Sequence, residues 1–219
     1  MEKIEKTIID RYYKLSSPSI SDAMDKLGIK GAAFGIKPII GSKKIVGPAF
    51  TVKYRAADEN PGTVGDYIDQ VDSGDVIVLD NRGRTDCTVW GDILTFTADK
   101  KGIAGTVIDG VCRDIEGIKE ISYPIFTKGY YMVTGKDRVE VESVNEPVVL
   151  SNVKVKPRDL IFGDDTGVLV IPKERVEEVL ELSEQIAFKE EQIIEDVKKG
   201  STIAEAREKS GYHKLQRNE

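Results

Sequence analysis

Between Val76 and Thr127 the chain alternates short apolar runs with amphipathic helical stretches, and this alternation limits the possible fold more than any other feature. Val76–Leu79 and Thr106–Ile108 are continuous and β-branched, and Pro124–Thr127 is a third short run; such runs suit strands buried on both faces. Strands separated by helices indicate parallel β-α-β crossovers and an α/β class. The first helix opens at Gly91-Asp92-Ile93-Leu94, with Ile93, Phe96 and Thr97 at the spacing of one buried face, and Gly102 and Gly105 close it. Asp109-Gly110 reads as a tight polar turn after the strand, and Arg113-Asp114 opens the helix carrying Ile115, Ile118 and Ile121.

This arrangement directs two helix N-termini at the same end of one strand. Their free N–H groups attract anions, and open α/β sheets place ligands at the carboxyl ends of their strands. Arg113 adds a fork of donors suited to a carboxylate, and Asp114 adds a hard oxygen ligand. An anion site beside a divalent-cation site suits stabilisation of an enolate. Each residue also has an ordinary role open to it. Asp114 and Asp92 suit the start of a helix electrostatically, Arg113 suits a solvated surface, and Gly91 suits close packing.

The flanks are read with the same rules. Residues 3–15 form an amphipathic helix with Ile4, Ile8, Ile9 and Tyr12 on one face, broken by Ser17-Pro18-Ser19. Ser19 and Asp22 then form a capping signature for a helix over Ile20–Leu27, stopped at Gly28. Short strands follow at Ile39-Ile40, Lys44–Pro48 and Ala49–Tyr54, where Phe50, Val52 and Tyr54 alternate with polar residues. Ala56–Gly62 is a candidate mobile loop ending in Asn60-Pro61-Gly62, and residues 63–71 form a short helix. Beyond residue 139 short strands occur without helices: Val139–Val144, Val148–Val155, Leu160–Phe162 and Val168–Ile171. Asp164-Asp165 has the look of a metal pair, but turn chemistry is the better account. The chain finishes with a long helix, Lys173–Lys199, and a short one, Thr202–Lys209. The long helix carries an apolar stripe from Val176 to Val197. A stripe of that length exceeds what one small sheet covers, which leaves Ile193, Ile194 and Val197 for contact with another subunit.

Composition removes whole classes of function. The net charge of −6 leaves no basic footprint for nucleic acid. No apolar run approaches a membrane span, and the charged N-terminus lacks a signal-peptide core, so a cytoplasmic protein is expected. Cys87 and Cys112 lie too far apart in sequence for a zinc or redox motif. The one histidine, His213, sits in the polar tail. Histidine-based triads, bases and zinc sites are therefore disfavoured, and any metal falls to carboxylates and water, the preference of Mg2+ or Mn2+.

Taken in order, Ser17–Ala23, Gly47–Val52, Gly74–Val78, Gly91–Leu94, Asp109-Gly110 with Arg113-Asp114, and Gly163-Asp164…Gly167-Val168 resemble the family of RraA (regulator of ribonuclease activity A) and 4-hydroxy-4-methyl-2-oxoglutarate aldolase, over roughly residues 15–200. The resemblance implies a swivelling β/β/α domain with helical N- and C-terminal extensions. It would be a single domain over 1–219, with a core of about 15–172 and a C-terminal extension of 173–219, assembled as a trimer or hexamer. It implies a divalent-metal lyase that cleaves 4-hydroxy-4-methyl-2-oxoglutarate to two pyruvates or decarboxylates oxaloacetate. Gly91, Asp92, Ile93 and Leu94 would then hold the pyruvate moiety through backbone N–H groups, Arg113 would bind substrate, and Asp114 would hold the metal.

One position departs from the aldolase pattern. The acid expected three residues after the metal aspartate is replaced by Gly117, and the nearest acid is Glu116. A neighbouring subunit's C-terminal acid is also expected, with Glu190, Glu191 and Glu195 as candidates. Both reactions pass through a pyruvate enolate, for which Arg113 would offset charge at about 3 kcal/mol. The general base is open, and a metal-bound water relayed through Asp92 is one route. Schiff-base chemistry would turn on Lys128 instead. The alternative outside enzymology is a non-catalytic regulator docking on a ribonuclease, helicase or other protein.

Overall fold

The computed structural model describes residues 4–41, 43–59 and 62–211. Asn60-Pro61 of the expected loop and His213 lie outside the described residues. In chain order the regular elements begin with helices α1 (Lys6–Tyr12) and α2 (Ser17–Lys26), then strands β1 (Ala32–Ala33), β2 (Lys37–Pro38), β3 (Ile45–Ala56) and β4 (Val76–Thr88). Helix α3 (Asp92–Lys101), strand β5 (Gly105–Cys112), helix α4 (Ile115–Ile121) and strand β6 (Ile125–Tyr130) complete the alternating region. Strands β7 (Val139–Val144), β8 (Val148–Leu150), β9 (Val153–Val155), β10 (Leu160–Asp164) and β11 (Gly167–Ile171) follow, and α5 (Val176–Lys198) and α6 (Ile203–Ser210) end the described chain. A 3-10 turn over Asp66–Gln70 stands where a short helix is expected.

The main sheet runs β1-β11-β10-β3-β4-β5-β6-β2, with β7 alongside the second half of β3. β3, β4, β5 and β6 are mutually parallel, as the alternating pattern predicts. Three apolar clusters lock this architecture. α3 and α4 cover one face of the parallel strands around Trp90, Ile108, Ile118 and Tyr123. The opposite face packs Val78, Val107 and Phe126 against the β8–β9 hairpin. α1, α2 and α5 cover β10 and β11 through Tyr12, Ile20, Phe162 and Leu180. The large side chains among them each contribute roughly 1.5–3 kcal/mol through burial.

Several local expectations change. Ser17-Pro18-Ser19 begins α2 rather than separating helices, with Ser16 as the cap accepting from Ser19 N. Proline costs nothing in a first turn, where its N–H has no helical partner. Asp109-Gly110 lies inside β5, because β4 continues to Thr88 through register shifts and pairs Arg84 with Gly110. Val148–Val155 is a hairpin, turned by Ser151 at φ 59. The α3 face is also rotated: Ile93 and Phe96 are 76% and 61% exposed, while Thr95 and Ala98 are buried. Thr95 is admitted to the interior because its hydroxyl is fully engaged, accepting from Trp90 Nε1 and donating to Gly91 O, both at 2.8 Å.

Asp164 takes the turn role, accepting from Ser17 N and Ser17 Oγ at 2.7 Å and from Thr166 N at 2.9 Å. The apolar stripe of α5 also divides differently. α6 folds back on the end of α5, with Lys209 paired to Asp196 at 2.8 Å, and Ile193 is only 7% exposed. Ile194 and Val197 stay on the surface at 54% and 42%. Among the described residues no helix is long and apolar enough to cross a membrane.

Candidate active site

The strand end of β5 and the starts of α3 and α4 converge as the sequence suggests. Arg113 N donates to Trp90 O at 3.0 Å, which ties the end of β5 to the segment leading into α3. Trp90 is itself immobilised, 2% exposed and stacked on Tyr123 with ring centroids 6.3 Å apart. Gly91, Asp92, Arg113 and Asp114 are thereby brought to one cleft of about 330 Å³, together with Ile93 and Leu94. That volume admits one small molecule.

Asp114 does not lie in the first turn of α4. It precedes the helix in the left-handed region, at φ 58 and ψ 43, which turns its carboxylate back toward α3. Its Oδ2 accepts from Asp92 N at 3.3 Å and lies 3.3 Å from Arg113 Nε. Asp92 Oδ1 accepts from Ile93 N at 2.8 Å. Two N–H groups at the start of α3 thus already face carboxylate oxygens, the group an acid substrate would present. The Arg113–Asp114 pair is 40% and 35% exposed at its side chains. Exposed pairs contribute about 0–1 kcal/mol, so a substrate carboxylate can compete for Arg113 with little loss.

The metal question turns on the donor set. Among the described residues no three His, Cys, Asp or Glu side chains gather to hold an ion. Asp92 and Asp114 are the carboxylates lining the cleft. Mg2+ and Mn2+ fit such a set, because Mg2+ in particular keeps most of its water and takes one or two carboxylates; a closed zinc site does not. Gly117, where an acid is expected, packs against Asp92, and a Cβ there would lie 3.3 Å from Asp92 Cβ. Glu116 is exposed and does not line the cleft.

The other candidates lie elsewhere. Lys128 Nζ is paired at 2.6 Å with the buried carboxylate of Asp109 and does not line the cleft. Glu190 accepts from Ser19 Oγ of its own chain at 3.1 Å, and Glu195 pairs with Lys198 at 2.8 Å. Glu191 lines a groove between α5 and α6. Burial pushes the Cys112 thiol up to about 12 and raises Cys87 as well, which removes both as thiolate nucleophiles. The cleft also contains residues that no sequence pattern marked: Val64, Gly65, Thr88, Thr134 and Lys136. They come from three separated segments joined only by tertiary pairing, such as the Thr88–Thr134 bridge.

Comparison with known proteins agrees with this architecture. The family described as "RraA-like: Aldolase/RraA" matches residues 17–170. Protein DlpA of Legionella pneumophila is 43% identical over 209 residues, which is 94% of this chain but 34% of that protein. The chain therefore spans about a third of that relative's length. A Halalkalibacterium halodurans protein is 37% identical over 183 residues, covering 83% of this chain and 84% of its own; its name is "Putative 4-hydroxy-4-methyl-2-oxoglutarate aldolase". A solved structure of an uncharacterized Pseudomonas syringae protein superposes with a TM-score of 0.91 at 41% identity, covering 95% of this chain and 96% of that one. RraAS2 of Streptomyces coelicolor, described as an unusual member of the RNase ES inhibitor RraA family, superposes at 0.80 with 26% identity, covering 92% and 100%. The chain belongs to the RraA-like family.

Proposed function

We propose that the protein is a divalent-metal-dependent lyase acting on 2-keto acids, either cleaving 4-hydroxy-4-methyl-2-oxoglutarate or decarboxylating oxaloacetate. The observation that carries this reading is the convergence of Arg113, Asp114 and the first turn of α3 on one cleft. Arg113 binds the substrate carboxylate beside the 2-keto group and offsets the charge that develops in the enolate. The backbone N–H groups of the Gly91–Leu94 turn orient the same end of the substrate once it displaces the carboxylates that Asp92 N and Ile93 N now face. Asp114 is the residue that would hold Mg2+ or Mn2+, and Asp92 beside it would relay a proton. When bound, the ion supplies Lewis-acid polarisation of the keto oxygen. Lys128 takes no part, since it is committed to Asp109.

The exposed Ile194 and Val197 support a homo-oligomer, a trimer or hexamer, in which this face is covered. A second reading is favoured by the likeness to the Streptomyces RNase ES inhibitor family member: a regulator without catalysis. Pyruvate release from oxaloacetate and from 4-hydroxy-4-methyl-2-oxoglutarate separates the two. The lyase reading expects release with Mg2+ or Mn2+, none after EDTA, and no lysine adduct on borohydride trapping. Release from neither acid with any divalent ion supports the regulator. An EDTA-resistant adduct at Lys128 moves the enzyme to Schiff-base chemistry.

A further inference from the structure

The cleft holds two cations, and their situations differ. Arg113 faces Asp114 at 3.3 Å. Lys136 lines the same cleft, and its ammonium has no carboxylate partner among the described residues. An exposed lysine with a free head group is ordinary on most surfaces. Here the backbone that presents it is unusually constrained. Gly135 packs so closely on β4 that a Cβ would lie 2.3 Å from Thr88 O. Its carbonyl accepts from both Arg138 N and Val139 N at 2.9 Å. Thr134 Oγ1 accepts from Lys136 N at 3.2 Å, and the Arg138 guanidinium reaches back to Thr134 O at 3.2 Å. Asp137, the next residue, is held in the left-handed region at φ 62. The backbone origin of the lysine is thereby fixed, so that only its side chain remains to be ordered on binding.

Resting on the lyase reading above, we infer that Lys136 is the specificity-determining contact for the second, distal carboxylate of a dicarboxylic 2-keto acid. The charge balance supports it. The two acids of the cleft, Asp92 and Asp114, match the two cations, so a bound divalent ion leaves the cleft with surplus positive charge. A dianionic substrate answers that surplus, with one carboxylate at Arg113 and the other at Lys136. Loss of one charge-assisted contact of this kind changes affinity about tenfold to a hundredfold.

The test uses Lys136→Met and Lys136→Arg in the full chain, both tolerable at an exposed position. With Mg2+ present, the ratio of kcat/KM for oxaloacetate to that for the monocarboxylate 4-hydroxy-2-oxopentanoate is measured in each. In parallel, fluorescence of Trp90, the single tryptophan, follows binding of unreactive 2-oxoglutarate and 2-oxobutyrate. Lys136→Met should lower the dicarboxylate preference about tenfold to a hundredfold in both assays, and Lys136→Arg should restore most of it. A wild-type ratio in Lys136→Met overturns the inference and leaves the lyase reading intact. If the wild type releases pyruvate from neither of these acids nor from 4-hydroxy-4-methyl-2-oxoglutarate, the lyase reading fails while the binding ratio still decides on Lys136. No dicarboxylate preference in the wild type overturns it.

Discussion

Gly91 and Asp114 are in contact that leaves no room for a side chain: a Cβ on Gly91 would lie 2.4 Å from Asp114 Oδ2. Gly91 has φ −154 and ψ −166, extended backbone that any residue adopts, so the glycine is required by its neighbour and not by its own conformation. Gly91→Ala should therefore displace the Asp114 carboxylate, which is half-exposed and free to swing outward. Metal-dependent pyruvate release is expected to fall at least about tenfold, with a melting temperature within a few degrees of wild type. Unchanged release at limiting Mg2+ would show that the placement of Asp114 is irrelevant to turnover.

Asp114 needs a substitution chosen for its backbone. In the left-handed region alanine costs about 1–2 kcal/mol, whereas asparagine is accepted. Asp114→Asn should therefore preserve stability and weaken Mg2+ binding, while Asp114→Ala should lose both. Isothermal titration with Mg2+ and a thermal melt on the two variants separate charge from strain. Wild-type Mg2+ binding by Asp114→Asn would remove Asp114 from the metal role.

The end of α5 offers two adjacent isoleucines with opposite surroundings. Ile193 is buried beside α6, so Ile193→Asp should destabilise the subunit by about 2–5 kcal/mol. Ile194 is on the surface, so Ile194→Glu should leave the melting temperature of the isolated subunit alone and lower the mass seen by light scattering. A wild-type protein already monomeric at micromolar concentration would remove this face as a subunit contact.

Acid should release α1 before the sheet. The Arg11 guanidinium donates to Glu184 at 2.8 and 2.6 Å and holds that carboxyl below its usual range. A carboxylate depressed in the folded state stabilises above its unfolded value, about 4.3, and that stabilisation is lost as pH falls through the folded value. Protection of the amides of residues 6–12, relative to their intrinsic exchange rates, should fall below about pH 4 while β5 stays protected, since among the described residues α1 then keeps its apolar contacts and the Tyr12 hydroxyl bond to Val176 O. Arg11→Gln should raise exchange at neutral pH and erase the acid step. An acid step that persists in this variant would assign it to another group.

These outcomes also mark how far the sequence speaks. The parallel crossovers and the pairing of Gly91-Asp92 with Arg113-Asp114 are legible because each lies within a few residues of a strand end, where local pattern and site coincide. The α3 face is misread by its apolar residues, since a hydrogen-bonded threonine replaces them inside. Val64, Thr88 and Lys136 are silent, because their place in the cleft depends on how β4 extends through two register shifts to reach Thr88. That extension is a long-range pairing with no periodicity of its own. Asp164 is a different case: turn chemistry identifies its role, but not its partner, Ser17, far away in the chain.

The left-handed conformation of Asp114 separates the site from the helix that follows it. The carboxylate is aimed by the last residues of β5 and by Gly91, while the Asp114 carbonyl accepts the first α4 bond, from Ile118 N at 3.0 Å. One inserted residue between Cys112 and Asp114 would turn the carboxylate away from Gly91 while leaving both flanking helices formed. For transplantation into another parallel sheet, the minimal unit is thus a strand terminus, an opposing glycine and the first turn of α4, whose Gly117 packs on Asp92.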